Sequence, residues 1–219
     1  MSNPQIATLQ QQLEAMTKHG LEVLPKEVTE AFERQIGELR ESGAAKGLTV
    51  GAKAPDFTLS NHAGDNVNLS EELAKGPVIL TFYRGEWCPF CNLELRAYQR
   101  IMDDIRESGA QLLAISPLTP DRSLSMQSKN ELSFHVLSDS GNHTAEAYAL
   151  KFKLPEPLQH IYRSLGFALE QFNGDESWEL PVPATYVIDT KGTIRLASVN
   201  PDYRTRMEPG DVLSFVRSM

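Results

Sequence analysis

The chain has 219 residues, 41% of them hydrophobic and 23% charged, an ordinary globular mixture that excludes a disordered, collagen-like or membrane-embedded protein and suffices for one sizeable domain with an appendage. Its net charge of −8 opposes nucleic acid or an anionic membrane as partner, because phosphate binding needs a basic footprint. The longest apolar run, Pro77 to Tyr83, is too short to span a bilayer, and the polar stretch Met1 to Gln12 lacks a secretory leader, so the expected compartment is the cytoplasm.

Residues 1–48 read as a helical extension. Ile6, Leu9, Leu13 and Met16 recur at helical spacing, with Gly20 as the expected end. A second helix starts at Pro25, carries Val28, Phe32, Ile36 and Leu39 on one side, and stops near Gly43. Both stripes are narrow, which predicts helices packed on the main domain; joining two subunits is the alternative.

Residues 49–219 read as a single α/β domain. Asp56 to Leu59 and Asn66 to Leu69 are short strands, the second leading into a helix capped by Ser70. Pro77 to Tyr83 has the β-rich, apolar texture of a central strand buried on both faces. Pro89 opens a helix expected to run to about Glu107, with Gly109 just beyond it. A strand at Gln111 to Ile115, a helix from Asp121 to Glu131, a strand at Phe134 to Leu137 and a helix around Thr144 to Leu150 follow. The segment from Lys151 to Leu180 is expected to be helical in its first half. A hairpin of Ala184 to Ile188 with Thr193 to Val199 and a last helix, Pro209 to Arg217, complete the domain. Strands alternating with crossover-length helices imply a mixed sheet flanked by helices.

Cys88 and Cys91 are the only cysteines. A disulfide across so short a loop restrains little of the unfolded chain, so the pair suits redox chemistry better than a structural staple. It sits where a buried strand ends and a helix begins. With Pro89 as first helical residue, Cys88 is the N-cap and its sulfur faces free backbone N–H groups, which favour an anion. Lowering a thiol pKa from about 8.5 to about 6 takes roughly 3.4 kcal/mol, whereas a helix dipole supplies about 0.3–1 kcal/mol, or about 2 when partly buried. N–H to sulfur hydrogen bonds and a cation must therefore add to it; Arg84 is the nearest in sequence, and Glu86 opposes it. Two sulfurs three residues apart on a first turn can exchange a disulfide, provided they are not both sealed from solvent.

Other chemistries have weaker support. A zinc site needs further ligands, but there is no second cysteine pair and His19, His62, His135, His143 and His160 lack ligand spacing. Ser138-Asp139 near His135 reads as a turn and helix cap, Lys191-Gly192 as a hairpin turn rather than a phosphate loop, and no organic cofactor or metal is implied. Glu94 and Arg96 read as solvated positions on the following helix. Trp87 suits either a shield over the thiolate with a docking surface beside it, or partly buried packing.

Phe82-Tyr-Arg-Gly-Glu-Trp-Cys-Pro-Phe-Cys91 resembles the active-site turn of the thioredoxin superfamily, and Pro89-Phe90 is similar to the inner dipeptide of glutaredoxins. Gly51-Ala-Lys-Ala-Pro-Asp-Phe-Thr-Leu59, Phe134-His-Val-Leu-Ser-Asp139 and Ala184-Thr-Tyr-Val-Ile-Asp-Thr-Lys-Gly192 resemble peroxiredoxin-like members of the alkyl hydroperoxide reductase and thiol-specific antioxidant family, from Gly51 to roughly Val199. The resemblance implies a thioredoxin-like fold and no cofactor. The family turn Pro-x-x-x-Thr-x-x-Cys, laid on this chain, puts Cys91 in the attacking position, Cys88 at Thr and Arg84 at Pro. A second family Arg is replaced by Pro183, which matches the cis-proline of thioredoxins, with Pro181 as its rival. The N-cap argument and the thioredoxin likeness instead select Cys88 as the attacking sulfur.

Together these readings give Cys88 and Cys91 as catalytic residues and Arg84, Trp87 and Pro183 as substrate-binding residues. The expected activity is reduction of hydrogen peroxide or organic hydroperoxides, with thioredoxin, glutaredoxin or glutathione as the reducing thiol. Alternatives are a disulfide reductase and a non-catalytic thioredoxin-fold module that binds a partner or senses redox state. A homodimer is a family-level expectation.

Overall fold

The computed structural model describes residues 7–61 and 63–219; Ile6 of the N-terminal stripe and His62 lie outside the described residues. Helix α1 (Leu9–Val23) begins at Thr8, whose side chain accepts from Gln11 N–H while the Gln11 side chain accepts from Thr8 N–H. It passes through Gly20, the expected end, because Leu24 N–H still donates to the Gly20 carbonyl at 3.0 Å. Helix α2 (Lys26–Ser42) starts after Pro25 and ends at Gly43 in the left-handed region.

The domain continues with β1 (Thr58–Asn61), β2 (Asn66–Asn68), α3 (Leu69–Leu73), β3 (Val78–Phe82), α4 (Pro89–Arg100), α5 (Met102–Glu107) and β4 (Gln111–Ser116). After these come α6 (Pro120–Lys129), β5 (His135–Ser138), a 3-10 turn at Ser140–Asn142, α7 (His143–Ala147), β6 (Lys151–Lys153) and α8 (Glu156–Ser164). Helix α9 (Leu169–Asn173), β7 (Glu179–Pro181), β8 (Ala184–Ile188), β9 (Ile194–Val199) and α10 (Pro209–Arg217) complete it.

Three further local expectations need adjustment. The cap of α3 is Asn68, whose Oδ1 accepts from Glu71 N–H at 3.1 Å, while Ser70 Oγ is turned to Asp56 at 2.7 Å. The helix opened by Pro89 breaks at Ile101 (φ −114°, ψ 18°), and the turn brings Met102 and Ile105 into the same core as Leu95 and Tyr98. The first half of Lys151 to Leu180 is helical as expected in α8, but only from Glu156: Lys151–Lys153 forms β6, antiparallel to β7, and Pro155 holds Leu154 out of helical geometry.

The main sheet has seven strands in the order β2-β1-β5-β4-β3-β8-β9. Strand β3 is parallel to β4 and antiparallel to β8, with Leu80 opposite both Leu113 and Tyr186. All five of its residues are buried, which explains why its sequence does not alternate in polarity. Its residues nevertheless alternate between two cores: Ile79 joins Leu95, Tyr98 and Val212, while Val78, Leu80 and Phe82 join Tyr148 and Tyr186.

The N-terminal helices pack on this framework. Leu9 and Leu13 of α1 share a core with Cys91 and Leu95 of α4, and burial of each such leucine contributes about 1.5–3 kcal/mol. The Glu208 carboxylate, just before α10, accepts from Leu9 and Gln10 N–H at 3.3 and 2.6 Å, so a residue from the far end of the chain caps α1. On α2, Phe32 stands edge-on to Tyr162 (5.8 Å) and Tyr203 (6.3 Å). Both helices consequently border the turn that carries the cysteines.

Candidate active site

Between β3 and α4, residues 83–87 carry the chain from the sheet to the helix. Cys88 is the N-cap, with extended backbone (φ −87°, ψ 113°), and Pro89 is at the first helical position. The Cys88 carbonyl accepts from the N–H groups of Cys91 (3.1 Å) and Asn92 (3.2 Å). Asn92 Nδ2 donates to the carbonyls of Glu86 and Cys88, both at 2.8 Å, and its Oδ1 accepts from Asn130 Nδ2 at 2.9 Å. Asn92 thus ties both sides of the turn to α6. Gly85 has φ +149°, and a Cβ there would collide with the Trp87 indole, so the loop requires glycine.

Both cysteines are free thiols, and by residue they are 1% (Cys88) and 0% (Cys91) exposed. Access is therefore through a pocket or not at all. Cys88 lies in the lining of a pocket of about 270 Å³ and Cys91 does not. Burial opposes ionisation of Cys88, but the Cys91 S–H donating to its sulfur and the Arg84 and Arg206 guanidiniums outweigh that, and its pKa falls to about 6. Cys91 moves the other way, well above an ordinary thiol, because it is buried and holds its proton against the Cys88 thiolate. The expected backbone support at Cys88 is weak: the Cys91 N–H is the least of the influences that lower its pKa and makes no full capping bond, while Cys91 Sγ accepts from Arg84 N–H at 3.4 Å.

Arg84 is buried, and its guanidinium lies 4.1 Å from the Tyr203 ring, 4.7 Å from Trp87 and 5.7 Å from Tyr162. It donates to the Tyr162 hydroxyl, and its Nε has no partner. The charges that act on it include the two sulfurs, and among the described residues no carboxylate forms an ion pair with it, so it remains available to an anion at the base of the pocket. Glu86, expected to oppose the thiolate, is paired with Arg122 at 3.2 Å. Trp87 packs on Tyr162 and Phe167 at 5.5 and 5.4 Å, as the packing alternative expects, and it also lines the pocket.

Pro183 departs from expectation. Among the described residues there is no cis peptide bond, at Pro183 or at its rival Pro181. Pro183 borders a void of about 20 Å³ shared with Arg84 and Tyr162, and it is not in the lining of the Cys88 pocket.

Two residues escape the sequence reading. Glu94, read as solvated, is 1% exposed and forms an ion pair with Arg206 at 2.6 Å; Arg96 is exposed as expected. Burial pushes the Glu94 pKa up to about 7, against the pull of Arg206. Arg206, from the loop before α10, places Nη2 3.6 Å from Cys91 Sγ, so a guanidinium does reach the pair, from a loop that borders a small void together with Pro183. The signal for Glu94 was its position three residues after Cys91, on the face that also buries Leu95 and Tyr98. No spacing marked Arg206. Among the described residues no group of three or more His, Cys, Asp or Glu side chains could hold a metal ion.

Residues 50–197 match the model of the AhpC/TSA family. The chain is 28% identical over 171 residues to peroxiredoxin Q, chloroplastic, of Gentiana triflora, covering 78% of this chain and 68% of that protein. The protein of the same name from Sedum lineare is 24% identical over 189 residues, 86% of this chain and 89% of that protein. Among solved structures, peroxidoxin BcpB from Mycobacterium tuberculosis superposes with a TM-score of 0.62 at 20% identity, covering 78% of this chain and 98% of that one. The bacterioferritin comigratory protein of Xanthomonas campestris superposes with a TM-score of 0.59 at 15% identity, covering 78% and 96%. At such identities the structural likeness establishes the thioredoxin-like fold alone.

Proposed function

Because this chain belongs to the AhpC/TSA family, we propose that it is a thiol-dependent peroxidase, with Cys88 attacking a hydroperoxide and Cys91 closing the cycle. The observation that carries this reading is the asymmetry of the pair. Cys88 has a pKa of about 6 and faces the pocket, while Cys91 is kept protonated beside it.

In the first step the Cys88 thiolate attacks the terminal oxygen of ROOH. The S–O bond forms, the O–O bond breaks, and RO⁻ takes a proton from water to leave as ROH. Sulfur is oxidised by two electrons to the sulfenic acid and the peroxide is reduced. Arg84, with no carboxylate paired to it among the described residues, stabilises the charge moving onto the leaving oxygen. Cys91 sulfur then displaces hydroxide from the sulfenic acid; its thiol proton leaves with that hydroxide as water, and a Cys88–Cys91 disulfide remains. An external dithiol of the thioredoxin or glutaredoxin type, or two glutathione molecules, returns two electrons and two protons. We place the cycle in the cytoplasm, where a reducing thiol pool serves it; subcellular fractionation tests that placement.

A second reading makes Cys91 the attacking sulfur. It has its own observation: Cys91 Sγ accepts from Arg84 N–H and Arg206 at 3.4 and 3.6 Å, and the family pattern aligns its attacking thiol there. Stopped-flow oxidation of Cys88→Ser and Cys91→Ser separates the two. Attack by Cys88 gives rapid oxidation in Cys91→Ser, with sulfenic acid accumulating, and little in Cys88→Ser; the reverse pattern assigns attack to Cys91. Slow reaction of the wild type with peroxide but rapid exchange with a model disulfide would replace both by a disulfide reductase. A chain inert to both would be the non-catalytic module.

A further inference from the structure

The pocket over Cys88 is built from two sources. Its base comes from the cysteine turn and its neighbours, including Arg84, Trp87, Cys88 and Phe90, and its outer wall from the facing ends of α1 and α2. That wall is largely apolar: Met16, Leu21, Val23, Leu24 and Phe32 line it, with Gly20 between them. These helices lie outside the family match at residues 50–197, so the wall comes from a part of the chain that the family pattern does not include.

We infer that the α1–α2 hairpin forms a subsite for the carbon body of a bulky, neutral hydroperoxide, of the aryl-alkyl or fatty-acyl class, and so selects such substrates over hydrogen peroxide. The inference rests on the peroxidase reading. Size supports it: about 270 Å³ approaches the lower end of small-molecule pockets, about 300 Å³, and far exceeds the roughly 30 Å³ that a water-sized oxidant occupies. So does the rim, where Leu21 and Val23 remain 58% and 59% exposed, an arrangement that leaves apolar surface in water unless a ligand covers it. Charge supports it as well. Arg204 at the rim is paired with Glu33 and Asp202, whereas Arg84, which has no carboxylate partner among the described residues, lies beside Cys88. The polar O–O end is thereby directed to the sulfur and the apolar end to the helices.

The test uses the full-length reduced protein and compares second-order rate constants for cumene hydroperoxide and hydrogen peroxide in stopped flow. The wild type is expected to favour cumene hydroperoxide by about tenfold or more, the discrimination a small apolar subsite provides. Two variants probe the wall. A Cβ at Gly20 would meet nothing within 4 Å, so Gly20→Phe fills the subsite from a helical position with room for it, and Val23→Asp charges an exposed rim position. Each is expected to lower the cumene-to-peroxide ratio by about tenfold, with the fold checked by circular dichroism. Rapid oxidation by both peroxides with a wild-type ratio near one, or a ratio unchanged in both variants, overturns the subsite and leaves the peroxidase standing. Failure of both peroxides to oxidise Cys88 removes the peroxidase reading, and the subsite with it.

Discussion

Glu94 and Arg206 Nε are joined at 2.6 Å inside the protein, and Arg206 extends Nη2 to within 3.6 Å of Cys91 Sγ. Removing one partner of such a pair leaves a buried charge uncompensated, typically at a cost of about 3–5 kcal/mol, whereas replacing both by uncharged groups of similar volume costs little. Arg206→Met should therefore lower stability by about 3–5 kcal/mol in denaturant unfolding, and Glu94→Gln combined with Arg206→Met should recover most of it. The thiol should respond differently. Arg206 is one of the cations holding Cys88 ionised, so the thiolate titration followed by ultraviolet absorbance should move to higher pH in the double variant despite its restored stability. An unmoved titration would assign Arg206 a purely structural role. Glu94, with its pKa raised to about 7, also loses its charge as the pH falls through that value, which loosens its hold on Arg206.

Helix α4 carries this chemistry because it is braced on two sides, by β3 beneath it and by α1 across it. Leu13 of α1 is buried in the core that contains Cys91 and Leu95, so Leu13→Ala opens a cavity behind the cysteine helix. Such truncations cost about 2–5 kcal/mol, and the denaturant midpoint should fall accordingly with the slope unchanged. The strand, turn and helix of the site are legible because each leaves a local mark: a continuous apolar run from Pro77 to Tyr83, the two cysteines three residues apart, and Pro89 at the first helical position. Elements formed by distant pairing are not. Strands β6 and β7, three residues each, exist because Lys151–Lys153 meets Glu179–Pro181, and neither segment signals the other. Arg206 reaches Cys91 across 115 positions of sequence, and its buried partner Glu94 was mistaken for a solvated residue because charge on a helix usually faces water. Pro183 shows the opposite error, a likeness that suggested a conformation the backbone does not adopt.

Across the whole molecule, the low pKa of Cys88 links folding, redox state and pH. In the folded, reduced protein that pKa is about 6, against an ordinary 9.0. Between those values the unfolded chain retains a proton that the folded chain has released, so the reduced form gains stability as pH rises from 6 to 9 and loses this contribution as pH falls through 6. Glu94 acts oppositely: its folded pKa of about 7 lies above the ordinary 4.5, so its contribution declines as pH rises through that range. In the Cys88–Cys91 disulfide neither thiol titrates, whereas Glu94 and the surface carboxylates are common to both forms and largely cancel when the two are compared. The difference in Tm, reduced minus oxidised, should consequently increase from pH 6 to pH 9. Thermal melts of both forms across that range provide the measurement, and a flat difference would mean that Cys88 titrates as an ordinary thiol. Because the same preference for the reduced thiolate makes the disulfide easier to reduce, the slope also bears on turnover: a pair with this asymmetry should be returned to the dithiol readily by an external thiol once the peroxide has been consumed.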